Sequence, residues 1–446
     1  MRMSCGGKAP PGRLPAAPRY RRWVRLTTSV ALLGGPLVSC SATSSPASTV
    51  PPSPIRSPAY LTVAGRAFSF RGQTVYLRGV NINNEAALYL DQPSYQDADY
   101  SPQAGFAHAA AALPSKITED ERDFARLGGW GVNCIRFGLD WHWFGGNAAT
   151  RATAYALMDR VVGWASKYHI WLIPTMFIPP GGGQDFRSGT RLWGSSTQFS
   201  AADMTPYMKQ LRDFWLDFAG RYADVPAIAG YDLLNEPSTP RVATVWLPYA
   251  GYLRDQIRKV DRNHFFVVES GIDGQFPDRL PVGNPVKDTD IVYSVHDYTP
   301  ATLTEARMPT YTYPGTAPGD DGTIRWWSKD DLDNLLRIGG VVPVTWAARE
   351  NVPLYIGEFG SRKQTIGYVR YIADRIELMN TTWGVHWSLF VYREFDPSFD
   401  FGLYNGWNAA SDKADGYMSS DPTVVPDTAL IKVLKVGVSR NVMATP

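Results

Sequence analysis

The amino-acid sequence predicts an α/β chain folded as a (β/α)8 TIM barrel with an N-terminal β-hairpin and long loops at the strand ends. Three observations carry that expectation. From Tyr60 onward, about eight short apolar runs alternate mostly with stretches of helical spacing, enough for one barrel. The runs are continuously apolar, as strands of a parallel sheet are when both faces are covered. Polar and charged residues gather where the runs end, the edge at which such a barrel carries its chemistry. A doubly wound sheet is the alternative, but no Gly-rich phosphate loop follows the first strand.

The elements follow in order. Phe68 to Tyr76 alternates around a Gly turn and reads as a hairpin. Leu77 to Asn83 has an apolar start and an Asn-rich end. After a long loop, Thr118-Glu119-Asp120-Glu121 is a capping box opening an amphipathic helix through Phe124 and Leu127. Val132 to Phe137 is the second strand, Ala154 to Lys167 a helix, and Trp171 to Phe177 the third strand despite Pro174. Thr205-Pro206 caps and starts a helix to about Tyr222. Ile228 to Leu234 is strand four, Trp246 to Val260 a helix, and Phe265 to Val268 and Ile291 to Val295 strands five and six. Helical segments over Leu332 to Ala348 break near Gly339-Gly340. Strand seven is Pro353 to Gly357, a helix covers Ile366 to Met379, strand eight is Gly384 to Phe390, and Thr428 to Val436 closes as a helix.

Composition narrows the function. The chain has 446 residues, 44% hydrophobic and 19% charged, too apolar for a disordered protein. Its 44 basic and 42 acidic residues sum to +2, but seven of the basic ones (Arg2, Lys8, Arg13, Arg19, Arg21, Arg22, Arg25) lie in residues 1–39, which hold no Asp or Glu. The remainder therefore has 44 − 7 = 37 basic against 42 acidic residues, a net of −5, which argues against a nucleic-acid partner. Three cysteines exclude a disulfide scaffold, and Cys134, inside an apolar strand, reads as a small buried hydrophobe.

Residues 1–39 read as an export signal. Arg19 to Arg25 is a positive start, and the apolar run Leu26 to Val38 is too short and interrupted to span a bilayer. Its exit, Leu37-Val38-Ser39-Cys40, resembles a bacterial lipobox, which implies acylation of Cys40 and a membrane anchor; the plainer alternative is an ordinary secretory signal. Residues 40–58 form a tether: 41–58 hold six Ser, two Thr and five Pro, too little apolar material to offset ordering entropy. The domain that follows, 59–446, is expected to be monomeric and catalytic, outside the cytoplasm.

The strand ends supply the candidate chemistry. Strand two carries Arg136; strand four ends Asn235-Glu236-Pro237; strand six ends His296-Asp297-Tyr298; strand seven ends Gly357-Glu358-Phe359-Gly360; strand eight holds Trp387. Glu236 and Glu358 each follow an apolar run, where an unpaired charge is costly unless it has a partner or a task. A carboxyl pair with one member protonated and one ionised is the apparatus of glycosidic cleavage. His142, His169 and His386 lack metal-ligand spacing, so neither metal nor cofactor is expected.

In this order and at these strand ends, the three motifs resemble glycoside hydrolase family 5, the cellulase and β-mannanase family of retaining enzymes. The resemblance implies that Glu236 is the acid/base and Glu358 the nucleophile, with Asn235 bonding a sugar 2-hydroxyl. Arg136 and Tyr298 would flank Glu358, His296 would lie beside the acid/base, and Trp387 would form a stacking floor. A β-glucan or β-mannan type glycan would be the substrate. Many members have a His near the end of strand three, but here Thr175-Met176-Phe177-Ile178 has none, which leaves the subfamily open.

Each motif also has a bland reading. Asn235-Glu236-Pro237 is an acceptable strand-to-turn junction, Glu358 an ion-pair partner for Arg136, His296 a core histidine and Trp387 a core aromatic. The functional alternative is a carbohydrate-binding lipoprotein on the same barrel that releases no reducing ends.

Overall fold

The computed structural model describes residues 59–82, 121–145, 148–181, 189–237, 239, 241–270, 286, 289–305, 310–337, 343–394, 401–405 and 425–439. The export signal, Cys40, the tether and the start of the capping box at Thr118 lie outside the described residues.

Eight parallel strands close into a barrel, as the sequence predicts. A small antiparallel sheet precedes it: β1 (Thr62–Ala64), β2 (Ala67–Phe70) and β3 (Gln73–Val75). The barrel strands are β4 (Arg78–Ile82), β5 (Cys134–Asp140), β6 (Trp171–Ile178), β7 (Gly230–Asp232), β8 (Phe265–Glu269) and β9 (Ile291–Asp297). An inserted hairpin, β10 (Gly315–Pro318) and β11 (Ile324–Trp327), precedes the last two, β12 (Leu354–Phe359) and β13 (His386–Leu389). Pro174 is tolerated in β6 because pairing toward β7 is sparse there, with Thr175 opposite Asp232 and an isolated bridge from Leu172 to Ile228.

Strand alternation divides each run into two faces. Val80, Ile135, Leu172, Tyr231, Phe266, Tyr293, Ile356 and Trp387 pack outward under the helices, in the main core. Cys134, Trp171, Ile173, Phe265, Val267, Val292 and Tyr355 point inward and join Leu61, Phe68, Phe70, Val75 and Leu77 of the N-terminal segment in a second core. Phe68 stacks on Phe265 with centroids 4.8 Å apart, and Phe70 meets Trp171 edge-on at 5.3 Å. The N-terminal sheet is thus a plug in the base of the barrel, each buried aromatic contributing about 1.5–3 kcal/mol by burial. Cys134 belongs to this apolar interior, and burial pushes its thiol up to about 12.

The helices begin where the chain supplies caps. Thr205 Oγ1 accepts from Met208 N at 3.1 Å and Pro206 opens the helix Pro206–Tyr222. Asp427 caps the last helix, Thr428–Val438, through Leu430 N at 2.9 Å. Among the described residues, no helix is long and apolar enough to cross a membrane.

Candidate active site

The inward side chains above the plug are charged. Arg136 of β5 is fully buried and spends its whole guanidinium on the site. Its Nε donates to Asp232 Oδ2 at 2.9 Å; Nη1 donates to Asn81 Oδ1 at 2.9 Å and Glu358 Oε1 at 2.7 Å; Nη2 donates to Asn235 Oδ1 at 2.7 Å and Glu269 Oε1 at 2.8 Å. Burial opposes its charge, but Asp232, Glu269 and Glu358 overcome that and raise its proton affinity well above the ordinary value.

Glu358 lies inward only because β12 departs from regular alternation. Tyr355 faces in and Ile356 faces out, so Gly357 should face in and Glu358 out. The pairing with β9 shifts between Ile356, opposite Val295, and Glu358, opposite His296; Gly357 is the extra residue of a β-bulge. A side chain at Gly357 would place its Cβ 2.6 Å from Ser294 Oγ and 3.2 Å from His296 Nε2, so only glycine permits the approach. Asn81 Nδ2 donates to Gly357 O at 2.9 Å and pins the bulge. Glu358 then accepts from Arg136 and, through Oε2, from the Tyr298 hydroxyl at 2.9 Å.

Glu236 comes from the irregular chain after β7. Asn235 and Glu236 are consecutive, yet both reach the site, which extended backbone would not allow. The chain turns there with Glu236 at φ 41°, a left-handed conformation that costs a non-glycine residue about 1–3 kcal/mol. Neighbours hold it: Asn235 N donates to Met176 O at 2.9 Å, Trp215 Nε1 to Leu233 O at 3.1 Å, and Glu236 N to Glu269 Oε2 at 2.7 Å. The Glu236 carboxyl keeps 16% exposure against 6% for Glu358, so it faces the mouth. Burial pushes it up to about 7 against the pull of His296, with the nearby carboxylates of Glu358 and Glu269 adding to the rise.

His296 Nδ1 lies 2.9 Å from Glu236 Oε1 and 3.5 Å from Glu358 Oε2; its Nε2 lies 3.3 Å from Glu269 Oε1. Burial disfavours the imidazolium, yet Glu269 and Glu358 raise the ring well above its ordinary range. Asp297 points the other way and pairs with Arg375 at 3.1 Å, anchoring the strand end to the helix Tyr368–Glu377. The His-Asp-Tyr triplet is therefore two site residues flanking a structural one.

Six of the seven candidate residues converge: Arg136, Asn235, Glu236, His296, Tyr298 and Glu358. Trp387 does not. It is fully buried on the outer face of β13, its Nε1 donating to Asn380 Oδ1 at 3.0 Å and its ring edge-on to Phe359 at 5.7 Å. Alternation explains the correction: Ser388, its neighbour, takes the inward position and bonds Tyr355 OH at 2.6 Å. Among the described residues two phenylalanines border Tyr298: buried Phe401, with its ring 5.8 Å away, and half-buried Phe390, at 6.3 Å. Elsewhere, Trp143, Trp193 and Trp327 are core residues, Trp141 packs half-buried against the core, Trp326 is 59% exposed, and Trp407 lies outside the described residues.

Sequence reasoning missed Asn81, Asp232 and Glu269. Glu269 had a legible signal, a carboxylate ending the apolar run Phe265 to Val268, but the strand was expected to stop one residue short of it. Asp232 is pushed up to about 7, by burial first and then by Glu269, against the pull of Arg136. Glu236, His296 and Glu358 also bring three potential metal-ligand atoms within 4.8 Å of one another. Those atoms already engage one another and the donors of Arg136 and Tyr298, and a cation there would face the guanidinium.

A family model described as Cellulase (glycosyl hydrolase family 5) matches residues 102–396. Endoglucanase 3 of Fibrobacter succinogenes is 26% identical over 272 residues, 52% of this chain but 39% of that protein, so the match spans well under half of that relative's length. A β-xylosidase of Phanerodontia chrysosporium is 22% identical over 75% of this chain and 71% of its own. Among solved structures, a β-glucanase from Saccharophagus degradans in complex with cellotetraose is similar in fold, with a TM-score of 0.51 and 19% identity over 85% of this chain and 93% of that one.

Proposed function

This chain belongs to glycosyl hydrolase family 5, and on that premise we propose that it is a retaining β-glycosidase of a β-glucan type glycan, with Glu358 as nucleophile and Glu236 as acid/base. One observation carries the reading: Glu236 and Glu358 present carboxyl oxygens within 4.8 Å of each other at the barrel mouth, in different surroundings. A bound of that size fits the roughly 5–5.5 Å separation of retaining enzymes better than the roughly 6.5–9.5 Å of inverting ones.

Glu358 attacks the anomeric carbon. The bond to the leaving oxygen breaks as Glu236, held protonated to about pH 7, gives that oxygen its proton. In the second step Glu236 takes a proton from water, the water oxygen bonds the anomeric carbon, and the Glu358 carboxylate departs. Arg136 and Tyr298 aim the nucleophile, Asn235 offers its amide to the sugar 2-hydroxyl, and Phe390 supplies an apolar face for the ring.

A panel of cello-oligosaccharides, mixed-linkage glucan, mannan and xylan tests this, with the first-formed anomer followed by NMR. Release of β-configured reducing ends from a glucan is expected. Saturable binding without release, or an α-configured first product, overturns the reading; faster release from mannan or xylan reassigns the sugar and leaves the mechanism.

From the sequence alone, we further propose that the chain is exported and anchored through acylated Cys40. A fatty-acid analogue should label the protein but not Cys40→Ala; equal labelling of both would refute the anchor.

A further inference from the structure

Resting on the glycosidase reading, we propose that Glu269, at the end of β8, is the positioning residue of the acid/base: it grips Glu236 by its main chain and, through His296, by its carboxyl group. Glu269 has no solvent exposure and does not reach the mouth where a substrate would lie. Its Oε2 accepts from Glu236 N at 2.7 Å. Its Oε1 accepts from Arg136 Nη2 at 2.8 Å and lies 3.3 Å from His296 Nε2. His296 Nδ1 in turn lies 2.9 Å from Glu236 Oε1.

These contacts form a closed loop that returns to the residue it started from. A left-handed glutamate is held in place only when its surroundings over-determine it, and Glu269 supplies the acceptor for the amide of Glu236 itself, beside the bonds that hold Asn235 and Leu233. The same carboxylate faces the far nitrogen of the imidazole whose near nitrogen meets the acid/base. Its charge, 3.3 Å away without the alignment of a hydrogen bond, favours the imidazolium, which carries a proton on each nitrogen and so has one to donate to Glu236. A carboxylate in so buried a place is costly unless paired. Burial opposes its charge, but His296 and Arg136 outweigh that and hold it below the ordinary carboxylate range. Trp246 Nε1 donates to Glu269 O at 2.9 Å and fixes its main chain independently of the carboxyl group.

A residue that acts through the acid/base matters most where the leaving group needs a proton. The test compares kcat/KM, which reports the bond-breaking step, on cellotetraose and on 2,4-dinitrophenyl β-cellobioside, whose leaving group departs without protonation. Glu269→Gln keeps an oxygen for Glu236 N but loses the charge facing His296. It should lose roughly 10²-fold on cellotetraose and less than about tenfold on the dinitrophenyl glycoside. Glu269→Asp, which keeps the charge but shortens the reach by one methylene, should show the same asymmetry more weakly. Equal losses on both substrates in a folded variant, or no loss on either, overturn the proposal. Failure of both variants to fold also counts against it, because Glu269 would then be structural. Wild-type protein inert on both glycosides would instead overturn the glycosidase reading, and this inference with it.

Discussion

The two ends of the barrel interior are built on the same strands and contrast completely. On β8, Phe265 and Val267 close the base while Glu269, two residues on, carries charge at the top. On β5 the step is from Cys134 to Arg136, and on β9 from Val292 to His296. The base is closed by the apolar plug of Leu61, Phe68, Phe70, Val75 and Leu77, and its few polar groups, such as His386 against Phe68, bond the main chain. The top must pair every charge, because the apolar layer beneath it provides no water. The lesson is a division of labour by height: stability is concentrated below and chemistry above, in reach of one another but separable by mutation.

The largest effect expected is at the top. Glu358→Ala should lower kcat by roughly 10⁴-fold or more on any glycoside, measured by reducing-end release. Glu236→Ala should cost roughly 10²–10⁴-fold on unactivated glycans and much less on activated aryl glycosides. The pH profile sharpens the point. Glu236 works as an acid while protonated, so kcat/KM on a glucan should fall about tenfold per unit above pH of about 7, and Glu236→Gln should lack that limb. Gly357→Ala sits at the join of the two regions: it should destabilise by ~1–3 kcal/mol in denaturant titration and reduce turnover roughly tenfold by displacing His296 and the bulge. At the base, Phe70→Ala should cost ~3–5 kcal/mol of stability and leave kcat within about twofold of wild type at temperatures where the variant stays folded. Loss of activity in folded Phe70→Ala would break the division.

Much of this was legible in the chain. Alternating apolar runs and helical spacing gave the barrel, and Thr205-Pro206 marked a real helix start. Glu236 and Glu358 stood out because each ends an apolar run inside a motif, and the motifs follow one another in the order of a known family. Trp387 was misread because its strand offers Trp387 and Ser388 to opposite faces, and composition does not say which face is inside. Asn81 and Asp232 were missed because a polar residue within a strand carries no mark of its partner until Arg136 is brought against it.

The sequence by itself determined the parallel barrel and the strand ends where polar residues gather, and it marked Glu236 and Glu358 as the candidate pair, because period and polarity are local properties of the chain. Only the tertiary structure decided which way those side chains point. A one-residue bulge at Gly357 turns Glu358 from the outer face to the inner one, a left-handed turn brings Glu236 opposite it, and a guanidinium contributed from β5 ties both regions together. Such register and long-range contacts depend on how strands far apart in sequence are paired, which no local pattern encodes.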